Sequence, residues 1–514
     1  MNRREFLKMG LAATAAIAMP GCTGVMNGKN IKKPNIVLFL VDDMGWQDTS
    51  VPFYKELTPF NKTYKTPNME KLAAEGMKFT RAYASCVCSP TRVSLMTGLN
   101  AARHRVTNWT LRKDATNDAR HKTLEFKNWN YNGLSPVAGI NNTVHAKALP
   151  AYLKEAGYRT IHCGKAHFGA IGTPAAEPLN IGFDVNIAGH AAGGPGSYHG
   201  KHNFSPAFRN GDRIWDIPGL EEFHGQDIFL TEALTIKANR AVDESIEMEK
   251  PFFLYMAHYA IHAPIEQDDR FAQAYLDKGM HPIEARYAAL IEGMDKSLGD
   301  IVANLEKHGQ LDNTIILFMS DNGGLSAHAR GGKAHTHNKP LSSGKGSAHE
   351  GGVRVPMIVK WPGVTEKGSK CFQPVIIEDY FPTILELAGV KDYKQVGGVI
   401  DGESFTLLLQ GAKIKRKARK LYWHFPNNWG PTGPGIGPHS AIMEGDWKLI
   451  YYHADRSYEL FDLRKDIGES KNLAKDKPEK VKQLAMALRQ YLIEVDAKMP
   501  LVKATGKAVA WPGE

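Results

Sequence analysis

The stretch Asn35-Ile-Val-Leu-Phe-Leu-Val41, followed at once by Asp42-Asp43, decides the fold that this sequence predicts. Its residues are mostly apolar, β-branched or aromatic, which is typical of a strand buried on both faces of a parallel sheet. The same pattern returns at Thr314–Ser320, which is followed by Asp321-Asn322. Because open parallel sheets bind ligands beyond the carboxyl ends of their strands, we expect these polar residues near a binding site.

Two more apolar runs end in polar groups. Residues 158–163 lead into Gly164-Lys165, and residues 251–257 lead into His258 and His262. Helical patterns alternate with these runs at 69–75, 148–156, 285–305 and 376–388. The alternation predicts an α/β fold with a mainly parallel sheet. We therefore expect the polar side chains to converge at one edge of the sheet: Asp42, Asp43, Lys165, His262, Asp321 and Asn322.

The composition changes near residue 400. A basic stretch at 413–420 indicates a solvated connector, and strand patterns at 440–444 and 447–452 flank a predicted hairpin turn at Gly445-Asp446. A further strand is expected at 459–463 and an amphipathic closing helix at 477–498. The predicted organisation is a signal and linker over 1–30, a catalytic domain over 31–410 and an antiparallel subdomain with a closing helix over 411–514.

Composition sets the broad class. The chain has 514 residues, of which 43% are hydrophobic and 23% are charged, and this excludes a disordered, collagen-like or coiled-coil protein. The net charge of +10 favours acidic partners such as nucleic acid, anionic lipid or an anionic polysaccharide. We find no Lys/Arg block with interleaved aromatic residues, so nucleic acid is the weakest of the three. Five scattered cysteines do not form a disulfide framework.

The N-terminus has the pattern of an export signal. Arg3-Arg4, followed by Phe6-Leu7-Lys8 and an apolar run to Pro20, resembles a twin-arginine signal. Cys22 is a candidate for lipid attachment. The sequence therefore predicts an exported protein, either periplasmic or anchored to a membrane as a lipoprotein, and no later stretch is apolar for long enough to span a bilayer.

The most informative motif is Cys88-Ser-Pro-Thr-Arg92, followed by Thr97-Gly98. It resembles the signature of the formylglycine-dependent (type I) sulfatases, of the alkaline-phosphatase-like superfamily. The resemblance implies that Cys88 is converted to formylglycine (3-oxoalanine) by a formylglycine-generating or anaerobic sulfatase-maturating enzyme. Pro90 suits the first turn of a helix, which places residue 88 at the positive end of the helix dipole. Cys86 is out of register and is expected to be structural.

The resemblance also implies a metal site and a set of catalytic side chains. The pairs Asp42-Asp43 and Asp321-Asn322 match the ligands of one Ca²⁺, completed by the modified Cys88, and such oxygen donors suit calcium better than zinc. Gly164-Lys165-Ala-His167 matches a Lys/His segment in which Ala166 replaces the usual Trp. The segment 259–264 carries His262, with His258 as its rival, and the segment 338–356 carries Lys345, with Ser342 where many relatives have Arg.

The family mechanism gives each side chain a role. The hydrated formylglycine attacks sulfur, with Arg92 holding it, while Lys165 and Lys345 stabilise the sulfate oxygens. His262 protonates the departing oxygen with help from Lys345. His167 then removes a proton from the second hydroxyl, so that the sulfate leaves and the aldehyde is restored.

The substrate is the least determined part of the prediction. A glycine-rich loop at 189–202 carries His190, His199 and His202, which together with Trp109 and Arg112 are candidate contacts to a sugar sulfate. Export and a basic chain favour a sulfated polysaccharide or oligosaccharide. Small aryl or alkyl sulfates remain an alternative, as do a phosphatase or phosphodiesterase of the same superfamily and a non-catalytic glycan-binding lipoprotein. The sequence leaves the sugar, exo or endo action and the oligomeric state open.

Overall fold

The computed structural model describes residues 33–412 and 419–514. The predicted export signal, Cys22 and most of the basic connector lie outside the described residues. The strands are β1 Asn35–Val41, β2 Met77–Phe79, β3 Ala82–Tyr83, β4 Leu124–Glu125, β5 Gly133–Ser135, β6 Thr143–His145, β7 Arg159–Gly164, β8 Val185–Ile187, β9 Phe252–Ala257, β10 Thr314–Ser320, β11 Arg354–Val355, β12 Met357–Lys360, β13 Ser369–Cys371, β14 Val375–Ile376, β15 Lys420–Phe425, β16 His439–Glu444, β17 Trp447–Tyr452, β18 Tyr458–Asp462 and β19 Leu501–Val502. The helices are α1 Pro59–Thr63, α2 Pro67–Glu75, α3 Cys88–Thr97, α4 Ala101–His104, α5 Leu149–Glu155, α6 Leu230–Glu247, α7 Asp269–Leu276, α8 Pro282–Lys307, α9 Glu350–Val353, α10 Tyr380–Leu387, α11 Thr406–Leu409 and α12 Pro478–Glu494.

The central sheet has eight strands in the order β13-β2-β12-β10-β1-β9-β7-β8. The five pairings β13·β2, β10·β1, β1·β9, β9·β7 and β7·β8 are parallel, and only the two pairings of β12 are antiparallel. The prediction of a mainly parallel α/β sheet is therefore confirmed. Strands β10, β1, β9 and β7 are adjacent, so their carboxyl ends lie at one edge.

Strand β1 lies at the centre of the core because both of its faces are covered. Ile36, Leu38 and Leu40 belong to one buried apolar cluster, while Val37 and Phe39 belong to a second cluster on the opposite face. This alternation follows from the two-residue period of a strand. It explains why the sequence of β1 is a continuous apolar run: helices cover both faces of the sheet.

The C-terminal part forms a second, four-stranded antiparallel sheet in the order β15-β16-β17-β18. The hairpin between β16 and β17 turns at Gly445-Asp446, as the sequence predicts. One face of this sheet, with Trp423 and Met443, joins a core cluster of the central sheet, and the other face packs with helix α12. Residues Lys33–Glu514 form one compact unit, and the boundary at residue 410 stays a prediction.

Several boundaries differ from the expectation by a few residues. The helix predicted over 376–388 begins only at Tyr380, after strand β14 and a short 3₁₀ turn at Ile377–Asp379. The carboxylate of Asp379 accepts a hydrogen bond from the backbone N–H of Ile376, which ends the strand and starts the turn. Gly164 belongs to β7 rather than following it, and the closing helix ends at Glu494 rather than at 498.

In the described part of the chain, no helix combines the length and apolarity needed to span a membrane.

Candidate active site

Helix α3 places Cys88 at the centre of the candidate site. Cys88 is the first helical residue, and the helix ends at Gly98, whose left-handed conformation (φ 70°) lets its N–H bond to the carbonyl of Ser94. Pro90 lies in the first turn, where its missing N–H costs no hydrogen bond. All ten residues of α3 are buried. Residue 88 therefore sits at the positive end of a helix dipole in a fixed position.

Three carboxylates meet beside Cys88. Carboxylate oxygens of Asp42, Asp43 and Asp321 and the sulfur of Cys88 all lie within 4.8 Å of one another. Asp321 accepts a hydrogen bond of 3.2 Å from the backbone N–H of Asp43, and Asn322 Nδ2 donates to Asp43 at 2.8 Å. The sheet edge thus assembles groups that are nearly 280 residues apart in sequence.

Two glycines of the site motifs are required by close backbone approach. A Cβ at Gly164 would lie 2.0 Å from the carbonyl oxygen of Ala257, and Gly164 has a φ of +101°. A Cβ at Gly323 would lie 1.9 Å from the carbonyl oxygen of Gly351. Neither distance is compatible with a side chain. These glycines let the segments that carry Lys165 and Asn322 pack directly against neighbouring backbone.

Each carboxylate is paired with a buried basic side chain. The nitrogen–oxygen distances are 2.7 Å for Lys165–Asp42, 2.6 Å for Lys345–Asp43 and 2.8 Å for Arg92–Asp321. Arg92 also donates to the carbonyl oxygen of Lys165 at 2.7 Å. Arg92 therefore holds Asp321 and the backbone of the lysine segment in place. The group thus contains three acidic and three basic side chains.

The donor set fits a divalent cation that prefers oxygen. The Oδ1 atom of Asn322 is buried and has no hydrogen-bond partner among the described residues, although buried amide oxygens are normally paired. It lies on the residue next to Asp321 and beside Asp43, which its own amide nitrogen contacts. Three carboxylates with an amide oxygen form an oxygen-rich set, which suits Ca²⁺ better than zinc.

Burial and mutual repulsion shift the pKa values of the acidic groups. Burial, together with Asp321, raises the pKa of Asp42 to about 8. Burial would also raise the pKa of Asp43, but the charges of Lys345, His262 and Lys165 together outweigh it and the pKa is lowered. Burial, then Asp42, raises the pKa of the Cys88 thiol to about 12, so an unmodified thiol here is protonated at neutral pH. A bound cation would favour the ionised form of all three groups.

His167 presents a nitrogen suited to accept a proton. Its Nε2 atom lies 2.8 Å from the carbonyl oxygen of Thr110, and because a carbonyl only accepts, Nε2 carries the proton. Its Nδ1 atom is buried without a partner among the described residues. Burial and the positive charges of Lys165 and Arg92 lower its pKa well below the usual value, so the imidazole is neutral.

In His262 the two ring nitrogens have the opposite roles to those in His167, because the proton is on Nδ1 rather than on Nε2. Its Nδ1 atom donates to the carbonyl oxygen of Ala263 at 2.6 Å, and its Nε2 atom lies 3.9 Å from Asp43. Burial, followed by the charge of Lys345, lowers its pKa to about 3. The rival His258 is buried elsewhere, with Nε2 2.9 Å from the hydroxyl of Ser297. His262, not His258, faces the candidate site.

The catalytic side chains open into a cavity of about 290 Å³. Its polar lining includes Cys88, Asp43, Lys345, His167 and His262. Its walls carry apolar and aromatic side chains, of which the tryptophans are Trp109, Trp215 and Trp429. The sequence predicts Trp109 as a substrate contact, but it gives no such prediction for Trp215 and Trp429, because neither lies in a recognised motif. A glycine- and proline-rich loop directly after Trp429, at 430–438, is the signal that indicates a binding loop there.

The glycine-rich loop at 189–202 packs against both histidines of the site. A Cβ at Gly193 would lie 2.3 Å from Cε1 of His167, and a Cβ at Gly194 would lie 2.9 Å from Nδ1 of His262. The backbone carbonyl of His190 accepts from the N–H of His167 at 3.2 Å. This loop therefore fixes the positions of the two imidazoles.

The structure places only one of the five predicted substrate-contact residues, Trp109, in the lining of the cavity. Trp109 lines the cavity, and the ring of His190 is buried near Tyr259, 6.4 Å away. Three other side chains contact protein groups instead: His199 packs at 5.2 Å from Phe229, His202 stacks at 3.9 Å on Phe208, and Arg112 pairs at 2.6 Å with Asp212. The role of these side chains in substrate binding stays a prediction.

Relatives of the chain were found by sequence. A sulfatase family model matches residues 34–390, and the model "N-sulphoglucosamine sulphohydrolase, C-terminal" matches residues 344–498. A sulfatase from Formosa agariphila is 28% identical, over 94% of this chain and 92% of the relative. The N-acetylgalactosamine-6-sulfatase of Mus musculus is 33% identical, over 90% of this chain and 80% of the relative.

Solved structures with a similar fold were also found. The structure of Ps i-CgsB is 26% identical with a TM-score of 0.71, and the match covers 94% of this chain and 95% of that chain. The phosphonate monoester hydrolase of Agrobacterium radiobacter is similar in fold alone, at 18% identity and a TM-score of 0.58, over 90% of this chain and 95% of that chain. The motif, the fold, the site and these relatives agree: the chain belongs to the sulfatase family of the alkaline-phosphatase-like superfamily and is a sulfuric ester hydrolase.

Proposed function

We propose that this enzyme removes sulfate from a sulfated glycan, using formylglycine at position 88 and one Ca²⁺. The observation that carries the proposal is the convergence at one point of a helix N-terminus with Cys88, three buried carboxylates and the basic side chains paired with them. An anionic ester is attracted to such a site, because the helix dipole and the ammonium groups both favour negative charge.

Asp42, Asp43, Asp321 and Asn322 would hold the calcium ion. When present, the ion and the hydrated aldehyde supply a positive charge for sulfate oxygens and a hydroxyl nucleophile whose pKa is lowered. Arg92 orients this set, because its guanidinium is committed to Asp321 and to the lysine segment.

The remaining side chains bind the sulfate and move protons. Lys165 and Lys345 hold their ammonium groups beside Asp42 and Asp43, where an entering sulfate would meet them. His167 is suited to be the general base, because its Nδ1 is free of protein partners among the described residues. His262 and Lys345 both line the cavity, and we propose that they supply the proton to the departing alcohol oxygen after the negative charge of the bound sulfate has raised the low pKa of His262.

Two observations support a glycan over a small aryl ester. N-acetylgalactosamine-6-sulfatases are among the relatives, and one structure of Ps i-CgsB contains k-i-k-neocarrahexaose. The cavity also carries three tryptophans in its lining, and sugar rings stack on such aromatic surfaces through their apolar faces. We further propose that the chain is exported through the signal at residues 1–30, in keeping with an extracellular polymer as its substrate.

The test is hydrolysis with and without the proposed nucleophile. We expect protein from a host with a maturation enzyme to release sulfate from N-acetylgalactosamine 6-sulfate or from neocarrageenan oligosaccharides, and to leave an aryl phosphate intact. Mass spectrometry of the peptide that contains residue 88 should find an aldehyde. Cys88→Ala should abolish turnover, and an unchanged Tm would confirm that the fold is retained.

Treatment with a chelator tests the calcium ion independently of the nucleophile. Removal of calcium should abolish turnover and lower Tm, because three buried carboxylates then lose a partner, and Ca²⁺ should restore both. Full turnover by protein with an unmodified Cys88, or unchanged Tm and activity after chelation, would contradict the respective half of the proposal.

A further inference from the structure

A second open groove lies beside the catalytic cavity. Its walls are the segment 120–122, the loop 430–438 and the β17–β18 hairpin at 452–459, and its volume is about 600 Å³. Pro431 lines both the groove and the catalytic cavity, so the two spaces adjoin at this residue. A ligand seated at Cys88 can therefore extend past Pro431 into the groove.

The first two of these walls are fixed relative to each other by hydrogen bonds. Asn428 Nδ2 donates to the carbonyl oxygens of Ala119 and Arg120, both at 3.2 Å, and the N–H of Ala119 donates to the carbonyl oxygen of Asn428 at 2.9 Å. The next residue, Trp429, lines the catalytic cavity. The same two chain segments thus build the outer wall of the cavity and the groove.

The groove has one wall with unpaired positive charge. Arg120 and Lys122 are exposed, and neither forms an ion pair with any residue in the described ranges. The acids of the groove, Asp455 and Glu459, belong to the β17–β18 hairpin, where Asp455 accepts from the hydroxyl of Ser457 and Glu459 pairs with His349 at 2.9 Å. The two free cations are therefore available to an anion that lies along the 120–122 wall.

We propose that this groove is a second anion subsite, which binds a neighbouring sulfated sugar of the same glycan whose sulfate ester lies at Cys88. The inference rests on the proposed function for the identity of the ligand. A cavity of about 290 Å³ is at the lower limit for a small-molecule site, whereas the groove is well within the usual range. Arg and Lys are the side chains that bind sulfate-like anions, and Arg does so with two parallel hydrogen bonds. The enzyme is then selective for a chain with repeated sulfates.

Binding of a heparin hexasaccharide tests this subsite without any need for turnover. The full chain with Cys88→Ala serves as background, and Arg120→Glu/Lys122→Glu is compared with Lys250→Glu/Lys307→Glu. The control pair has the same charge change, but its residues are exposed and precede β9 and β10, at the opposite edge of the sheet. We expect the first pair to weaken binding at least about tenfold and the control pair to change it less than about twofold.

Equal weakening by both pairs would mean that net charge alone attracts the glycan, and it would overturn the subsite. Unchanged binding in the first pair, or no binding by the parent, would overturn it as well. Because binding is measured without catalysis, a failure to hydrolyse sulfate esters leaves this result intact. If hydrolysis is found, Arg120→Ala/Lys122→Ala should raise KM for the oligosaccharide and leave kcat and the monosaccharide constants unchanged.

Discussion

Gly193 lies against the ring of His167, and there is no room for one further carbon atom. A Cβ at this position would lie 2.3 Å from Cε1 of the imidazole. We expect Gly193→Ala to displace the ring and lower kcat by about 100-fold, the effect typical of a displacement of about 1 Å at a catalytic group. The measurement is sulfate release at saturating substrate, with Tm recorded in parallel.

Gly196→Ala is the matched control at this scale. It lies in the same loop and also creates a close contact, 2.2 Å from Cδ of Pro206, but it does not touch an active-site histidine. Its kcat should stay within a few-fold of the parent. An equal loss in both variants would mean that the loop is disrupted as a whole, and it would count against the positioning role of Gly193.

Sequence reasoning finds individual residues when chemistry restricts their type and spacing. Cys88 and Arg92 lie in one short motif, and the Asp42-Asp43 pair follows a recognisable strand. Trp215 reaches the same cavity from a loop with no periodic pattern, so its position depends on the path of the chain in three dimensions. Gly193 is similar, because no sequence pattern indicates which side chain packs on a given glycine.

At the scale of elements, Asp118 joins two loops that form the cavity walls. Its carboxylate accepts from the Nδ2 atoms of Asn108 and Asn427, at 3.1 and 3.0 Å, and from the backbone N–H of Asn428 at 3.1 Å. The next residues after Asn108 and Asn428 are Trp109 and Trp429. The orientation of both aromatic walls therefore depends on one half-buried carboxylate.

We expect Asp118→Ala to loosen both walls. Each buried donor left without a partner costs about 1–3 kcal/mol, so Tm should fall, and KM for the glycan should rise more than kcat falls. Asp114→Ala is the control, because Asp114 is exposed and accepts only from Asn132 nearby. If Asp118→Ala lowers Tm but leaves KM unchanged, Asp118 does not position the walls.

The helices and strands that the sequence predicts most reliably are those with one dominant local signal. Strands β1 and β10 have the predicted bounds, because each is a continuous apolar run that ends at paired polar residues. The region 376–388 is also rich in apolar residues, and that pattern does not separate β14 from α10. The separation comes from the hydrogen bond of Asp379 to the strand, a contact with no periodic signal.

At the scale of the whole molecule, a buried charge cluster connects the C-terminal sheet to the catalytic segments. Lys448 of β17 pairs with Glu350 and Glu469, each at 3.0 Å, and its side chain has no exposed surface. Glu350 also accepts from Tyr83 at 3.1 Å and follows Lys345 by five residues. The sequence did not predict this cluster, because its members come from distant parts of the chain and match no motif.

We expect Lys448→Met to lower stability by about 3–5 kcal/mol, since it leaves two buried carboxylates without their main partner. In the variant the folded-state pKa values of Glu350 and Glu469 should rise, so the folded state takes up protons more readily than the unfolded state. Stability is then retained at low pH and lost as pH rises. The deficit in Tm relative to the parent should be smaller at pH 5 than at pH 8.

Lys420→Met is the control for this cluster, because Lys420 is exposed on strand β15 of the same sheet. Its Tm should change by no more than about 1–2 °C, as is usual for surface substitutions. A deficit for Lys448→Met that is the same at pH 5 and pH 8 would show that lost packing, rather than unpaired charge, is the cause.

The burial of Cys88 sets an order of events in biosynthesis. Its side chain is only 3% exposed, at the start of a helix whose residues are all buried, and the cavity above it is far too small for another protein to enter. An enzyme that converts this cysteine must therefore reach it while the segment around residue 88 is still an unfolded chain. The modification proposed for Cys88 would thus precede folding, and if the chain is exported in the folded state, the maturation enzyme would work in the cytoplasm, before translocation.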